Sequence, residues 1–135
     1  MSFEQTGTVI GKRYVIPSTT LAALERVFEA PVGGIIVIEN SLYARAHLGM
    51  QATTRPNRIF LACSGSQFVA DPELVLHEYF HVVRQWREGC LTRWRYLMES
   101  VRGGYRANRY EREAREFTTA ALEPYLMMLR QVTGQ

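Results

Sequence analysis

The sequence predicts an α+β domain, and three observations carry that prediction. Short β-branched and apolar runs, too brief for helices, lie in the first half at Ile35–Ile38 and Ile59–Ala62. Helical periodicity precedes them, with Leu21, Leu24, Val27 and Phe28 on one stripe, and resumes after them from Asp71 onward. The strands are thus set apart from the later helices, which is an α+β arrangement. The predicted order is an N-terminal helix, a small mixed sheet, then three helices.

Taken in order, Thr8 to Ile16 contains Val9, Ile10, Tyr14, Val15 and Ile16 and reads as a strand broken near Gly11 and ended by Pro17. Ser18, Thr19 and Thr20 offer an N-cap for a helix to about Ala30. Pro31 to Gly34 is a turn, and Ile35–Ile38 is a buried strand. Leu42–Ala46 and Gln51–Thr54 are weaker strand candidates, Arg55-Pro56-Asn57 is a turn, Ile59–Ala62 is a firmer strand, and Ser64 to Ala70 is a loop.

Asp71 and Pro72 then open the central helix as N-cap and first helical residue, and Gly89 stops it after about Glu88. Its face of Val75, Tyr79, Val82, Val83 and Trp86 is apolar and belongs in the core. A second late helix is expected from about Thr92 to Arg102, ended by Gly103-Gly104, and a third from about Ala107 to Arg130.

Composition narrows the class. A chain of 135 residues with 47% hydrophobic and 21% charged residues reads as one globular domain, 1–135, rather than a disordered segment. The net charge of +3 rests on arginine, since Lys12 is the only lysine, and permits an acidic or nucleic-acid partner without requiring one. Cys63 and Cys90 form no C-x-x-C pair and are read as reduced thiols. Residues Met1 to Thr6 have neither a basic nor an apolar leader character, and no long apolar run follows. The expectation is a cytoplasmic protein without a membrane span, with export as an effector by a dedicated machine left open.

Within the central helix stands His77-Glu78-Tyr79-Phe80-His81, an H-E-x-x-H pattern. A spacing of four returns nearly to the same angular position, so His77 and His81 occupy one helix face, where a single Zn2+ can take both imidazoles. Glu78 lies beside them, free to act as a general base. Burying two imidazoles and a carboxylate without such a purpose would be costly.

A third ligand is then required. The H-E-x-x-H-x-x-G-x-x-H pattern is excluded by Arg84 and Arg87, and His47 precedes the motif as a lone histidine. The comparison falls on three carboxylates in the later helices. Glu99 points away from the apolar face of its helix and has Arg95 four residues before it, which suits an exposed ion pair. On the last helix the stripe is Tyr110, Ala114, Phe117, Ala121, Tyr125 and Met128. Glu111 falls roughly 50° from the centre of that stripe and Glu113 about twice as far. Glu111 is the preferred metal ligand and Glu113 the reserve.

Two blocks now resemble a known family. Leu76-His77-Glu78-Tyr79-Phe80-His81-Val82-Val83-Arg84-Gln85-Trp86 and Tyr110-Glu111-Arg112-Glu113-Ala114-Arg115-Glu116-Phe117 are similar to small gluzincin-type zinc metallopeptidases. The likeness is to the ImmA/IrrE-like peptidases and to small H-E-x-x-H domains associated with bacterial secretion systems and toxins. In ImmA/IrrE-like proteins the second block reads E-x-x-A-[DN]-x-F and its first glutamate ligates the metal, a role that carries onto Glu111. Arg115 stands where that pattern has Asp or Asn. The resemblance implies a minimal zincin-like fold and zinc-dependent hydrolysis of a peptide or protein substrate.

On that reading Glu78 moves the proton, and Tyr105, Tyr110 and Arg84 are candidate oxyanion or substrate donors. Strand Ile59–Ala62 or its hairpin partner would wall the substrate by strand addition. The rival reading is a zinc-stabilised module binding nucleic acid or protein. It is motivated by Arg84, Arg87, Arg93, Arg95, Arg102, Arg106, Arg109, Arg112 and Arg115, but no nucleic-acid-binding motif accompanies them.

Overall fold

A computed structural model describes residues 11–45, 51–88 and 108–133. In chain order it contains β1 (Lys12–Tyr14), α1 (Ser18–Phe28), β2 (Ile36–Glu39), α2 (Leu42–Arg45), β3 (Ala52–Arg55), β4 (Arg58–Leu61), α3 (Gly65–Val69), α4 (Pro72–Phe80) and α5 (Arg109–Thr133). The fold is α+β with one mixed sheet, as the sequence predicts. Among the described residues no helix is long and apolar enough to cross a membrane.

The sheet runs β1-β2-β4-β3. β1 is antiparallel to β2, β2 is parallel to β4 with Val37 opposite Ile59, and β3 is antiparallel to β4 with Thr54 opposite Ile59. Residues two apart on a strand share a face. Val37, Ile59, Leu61 and Ala52 therefore point together into the core, while Ile36, Ile38 and Phe60 on the other face are half-buried. Ile35–Ile38 is thus buried on one face and half-buried on the other, rather than buried throughout.

On the covered face, Leu24 and Phe28 of α1 and Val75, Leu76 and Tyr79 of α4 join the strand residues in one core. Burial of each such large side chain stabilises the fold by roughly 1.5–3 kcal/mol. Phe117 of α5 fixes the helices against one another. Its ring stacks on Phe28 at 5.0 Å and on Phe80 at 4.8 Å between centroids. The stripe of Tyr110, Ala114, Ala121 and Tyr125 is buried, whereas Pro124 lies on the exposed side of α5.

Several local expectations are corrected. The α1 N-cap is Pro17, with no side-chain cap, and Ser18 is already helical. Pro17 is extended at ψ 144° and its carbonyl accepts from Leu21 N at 3.0 Å, so the turn starts without a hydroxyl. The helix ends at Phe28 rather than Ala30, because Glu29 turns left-handed at φ 53°. In the range expected as a strand, Leu42–Arg45 form one helical turn, with Ser41 Oγ accepting from Ala44 N at 3.4 Å.

Ser64 to Ala70 is a short helix rather than a loop. Ser64 and Gln67 form a reciprocal capping box, Gln67 N donating to Ser64 Oγ and Ser64 N to Gln67 Oε1, each at 3.1 Å. Gly65 within it lies flat against the Tyr14 ring, where any Cβ would collide. The Arg55-Pro56-Asn57 turn is as expected, with Asn57 at φ 60°. Ala46 and His47, the helix expected from Thr92 to Arg102, Glu99, Cys90 and Tyr105 lie outside the described residues.

Candidate metal centre

Helix α4 opens with Asp71, whose carboxylate accepts from Leu74 N at 3.2 Å, and with Pro72. This is the N-cap and N1 pair that the sequence predicts. The helix buries Val75, Leu76 and Tyr79 against the sheet and presents His77 and His81 on another face. After Phe80 it does not continue as an α-helix. His81–Trp86 form a π-helical segment in which Arg87 N donates to Val82 O at 2.9 Å, five residues back.

Helix α5 supplies the third group. Asn108 precedes it, fully buried, with Oδ1 accepting from Tyr110 N at 2.8 Å and from Glu111 N at 3.4 Å. It acts as the N-cap and sets Glu111 in the first turn, where the helix dipole favours a carboxylate. Glu111 is 3% exposed and faces both histidines. Its Oε1 lies 2.9 Å from His77 Nε2 and 3.2 Å from His81 Nε2. Ligand atoms of all three residues lie within 4.8 Å of one another, a group able to hold a metal ion.

The charges of the cluster act strongly on one another. Burial alone would raise the Glu111 carboxyl, but hydrogen bonds from His77 and His81 and the pull of both imidazoles hold it well below the usual carboxylate range. Burial works against an imidazolium at His81, yet hydrogen bonding to Glu111, the Glu111 and Glu78 charges and the bond to Gln85 push it up to about 9. Glu78 is 6% exposed. Burial raises its carboxyl, His81 and His77 offset part of that rise, and the Glu111 charge adds to it. A carboxyl held above its ordinary range beside a metal-competent cluster is suited to moving a proton.

The reserve and the donor candidates take other places. Glu113 is exposed and joins no metal group among the described residues; its Oε1 accepts from Gln85 Nε2 at 3.0 Å. Arg84 reaches the end of α1, donating to Phe28 O at 2.8 Å with its guanidinium over the Phe28 ring. Tyr110 is buried, and its hydroxyl accepts from Arg109 Nη2 at 2.9 Å. Arg84 thereby ties the motif segment to α1, while the Tyr110 hydroxyl meets the neighbouring Arg109 of the same helix and keeps its own hydrogen to donate. Arg87 likewise donates to Pro31 O at 2.6 Å.

Two residues of the site go unnoticed in the sequence reading. Gln85 bridges His81, at 2.6 Å from Nδ1, to the Tyr110 carbonyl at 3.0 Å. Asn108 caps the ligand helix. Both carry a sequence signal: Gln85 stands four residues after His81, and Asn108 stands three before Glu111 in an N-cap pattern.

No protein-family model, curated protein or solved structure matches the chain.

Proposed function

We propose that the chain is a zinc-dependent peptide hydrolase in which His77, His81 and Glu111 hold the metal and Glu78 is the general base. The observation that carries this reading is the convergence of two imidazole Nε2 atoms on one buried carboxylate oxygen, with a second buried carboxyl beside them. The donor set fits zinc. Ligands at about 2.0–2.1 Å from a tetrahedral ion stand roughly 3.3 Å apart, close to the 2.9 and 3.2 Å found here. Two nitrogens and one carboxylate, the group found among the described residues, match the protein ligands of a catalytic zinc site.

Zinc so held supplies Lewis-acid charge, which acidifies water and polarises a carbonyl. The chain's own part is positional and protolytic. Glu78, adjacent to His77 on the same helix, takes the proton of the attacking water and returns it to the leaving amine. Its raised pKa makes the second half of that task easier. Burial around Glu78 and His81 limits competing water.

The substrate strand has one sensible place. β4 is flanked on both sides, so Ile59–Ala62 cannot accept a further strand, and among the described residues its hairpin partner β3 is an edge of the sheet. Arg55 and Arg58 close a two-residue turn, so by alternation Ala52 and Thr54 turn their backbone groups away from β4. β3 also leans on the motif segment, with Trp86 Nε1 donating to Thr54 Oγ1 at 3.1 Å. An extended peptide added to β3 would run beside the metal helix.

The test is zinc content together with cleavage of a peptide library, read by mass spectrometry with and without a chelator. Chelator-sensitive cleavage supports the proposal. Stoichiometric zinc with no cleavage of any peptide would favour a zinc-stabilised binding module instead.

A further inference from the structure

Gln85 has no place in the H-E-x-x-H motif, yet it is 1% exposed and every polar atom of its side chain is engaged. Its amide nitrogen donates twice, to Tyr110 O at 3.0 Å and to Glu113 Oε1 at 3.0 Å. Those two acceptors fix which end of the amide is nitrogen. Oε1 must therefore face His81 Nδ1, 2.6 Å away, and can only accept. His81 Nδ1 therefore carries a hydrogen, so the neutral ring that a metal takes can offer its lone pair only at Nε2, the atom turned to Glu111 and His77.

The backbone explains why a residue four places on can do this. From His81 to Trp86 the chain is wound in π turns, wider than α turns, so that Gln85 returns more nearly over His81 than an α-helix would bring it. The same side chain ends on α5, at the carbonyl of Tyr110 and the carboxylate of Glu113, on either side of the ligand Glu111. One amide thus ties the imidazole ligand on one helix to the carboxylate ligand on the other.

We infer that Gln85 is a positioning residue of the metal centre. It fixes the tautomer and ring orientation of His81 and, through Tyr110 and Glu113, locks the two helices at the spacing the metal requires. Glu113 belongs to the site as the far anchor of that amide, not as a ligand. The inference rests on the metal-binding reading given above. Outer partners of ligating histidines of this kind commonly contribute about 10–100-fold in metal affinity.

The experiment measures zinc affinity by competition with a chromophoric chelator, on wild type, Gln85→Met, Gln85→Glu and the double variant Gln85→Glu/Glu113→Gln, with folding followed by circular dichroism. Gln85→Met keeps the volume and removes the acceptor and both donors; its affinity is expected to fall about 10–100-fold. Gln85→Glu keeps the acceptor for His81 but sets a carboxylate against Glu113 and the Tyr110 carbonyl. Adding Glu113→Gln returns an amide donor to that contact, and affinity is expected to recover to within about threefold of wild type, which loss of packing alone would not explain.

A folded Gln85→Met protein with wild-type zinc affinity would overturn the inference. So would a double variant no better than Gln85→Glu alone, and this comparison decides the matter if Gln85→Met fails to fold. A wild-type chain that binds no zinc would remove the metal reading itself and this inference with it.

Discussion

Glu111 Oε1 stands 2.9 Å from His77 Nε2, across 34 positions of the chain, and this contact joins the motif helix to the last helix at the candidate metal centre. The carboxylate is nearly inaccessible to water, so it exists in that place only because the imidazoles compensate its charge.

Ligand assignment follows from that contact. Glu111→Ala is expected to lose stoichiometric zinc, whereas Glu113→Ala keeps it, though with weaker affinity through Gln85. Inductively coupled plasma mass spectrometry on the purified variants decides between them. Zinc retained by the first and lost by the second would reverse the assignment.

On the proposed reading, Glu78 separates metal binding from chemistry. Glu78→Gln preserves the shape of a buried side chain and leaves His77, His81 and Glu111 in place. Zinc content should stay at the wild-type level while peptide cleavage falls by about 10²–10⁴-fold, the usual contribution of a general base. Cleavage at the wild-type rate would remove Glu78 from the mechanism.

Loading the site should release a proton. In the metal-free chain His81 holds its proton up to about pH 9, above the ordinary histidine range, with Glu111 as its chief partner. A metal takes the neutral imidazole, so near pH 7 zinc binding drives about one proton from His81 into solution. Because the folded-state pKa is raised, the release is full well below pH 9 and fades as pH rises through that value; apparent affinity climbs with pH where the release is full and levels off above about pH 9. Isothermal titration calorimetry in buffers of different ionisation enthalpy counts the protons; none released at pH 7 would contradict the assignment.

Asn108 caps the helix that carries Glu111. Asn108→Ala removes the acceptor for Tyr110 N and Glu111 N and should cost about 0.5–2 kcal/mol of stability. Zinc affinity should fall in the same variant, because the first turn of α5 sets the ligand. Denaturant melts and chelator competition read the two effects separately, and an unchanged melt would show that the cap is dispensable.

Tyr79 offers a check on the core. Its hydroxyl is buried with no hydrogen-bond partner among the described residues, and burial, with the nearby Tyr125, pushes its ionisation above the usual tyrosine range. Tyr79→Phe keeps the ring, including its stacking on Phe68, and removes the stranded group. Stability should be unchanged or rise by up to about 1 kcal/mol. A loss of more than about 1 kcal/mol would mean that the hydroxyl has a partner.

Much of this was legible in the sequence because it is local. The spacing of His77 and His81, the Asp71-Pro72 start, the apolar face of Val75 and Tyr79 and the turn at Pro56-Asn57 all follow from backbone geometry within a few residues. The short helix at Gly65–Val69 is equally local, its start marked in the letters by the Ser64–Gln67 capping box. Angular position on the last helix already preferred Glu111 to Glu113.

Tertiary structure alone decided the rest. Helix phase places Glu111 at the border of a buried face, but only docking of α5 on α4 brings its carboxylate to both imidazoles. Whether β3 or β4 forms the sheet edge depends on β2 pairing parallel to β4, a contact between distant segments. Gln85 is four letters from His81 in any reading. Its second and third bonds, to Tyr110 and Glu113, need a helix 25 and 28 residues away, and no local rule of spacing can supply them.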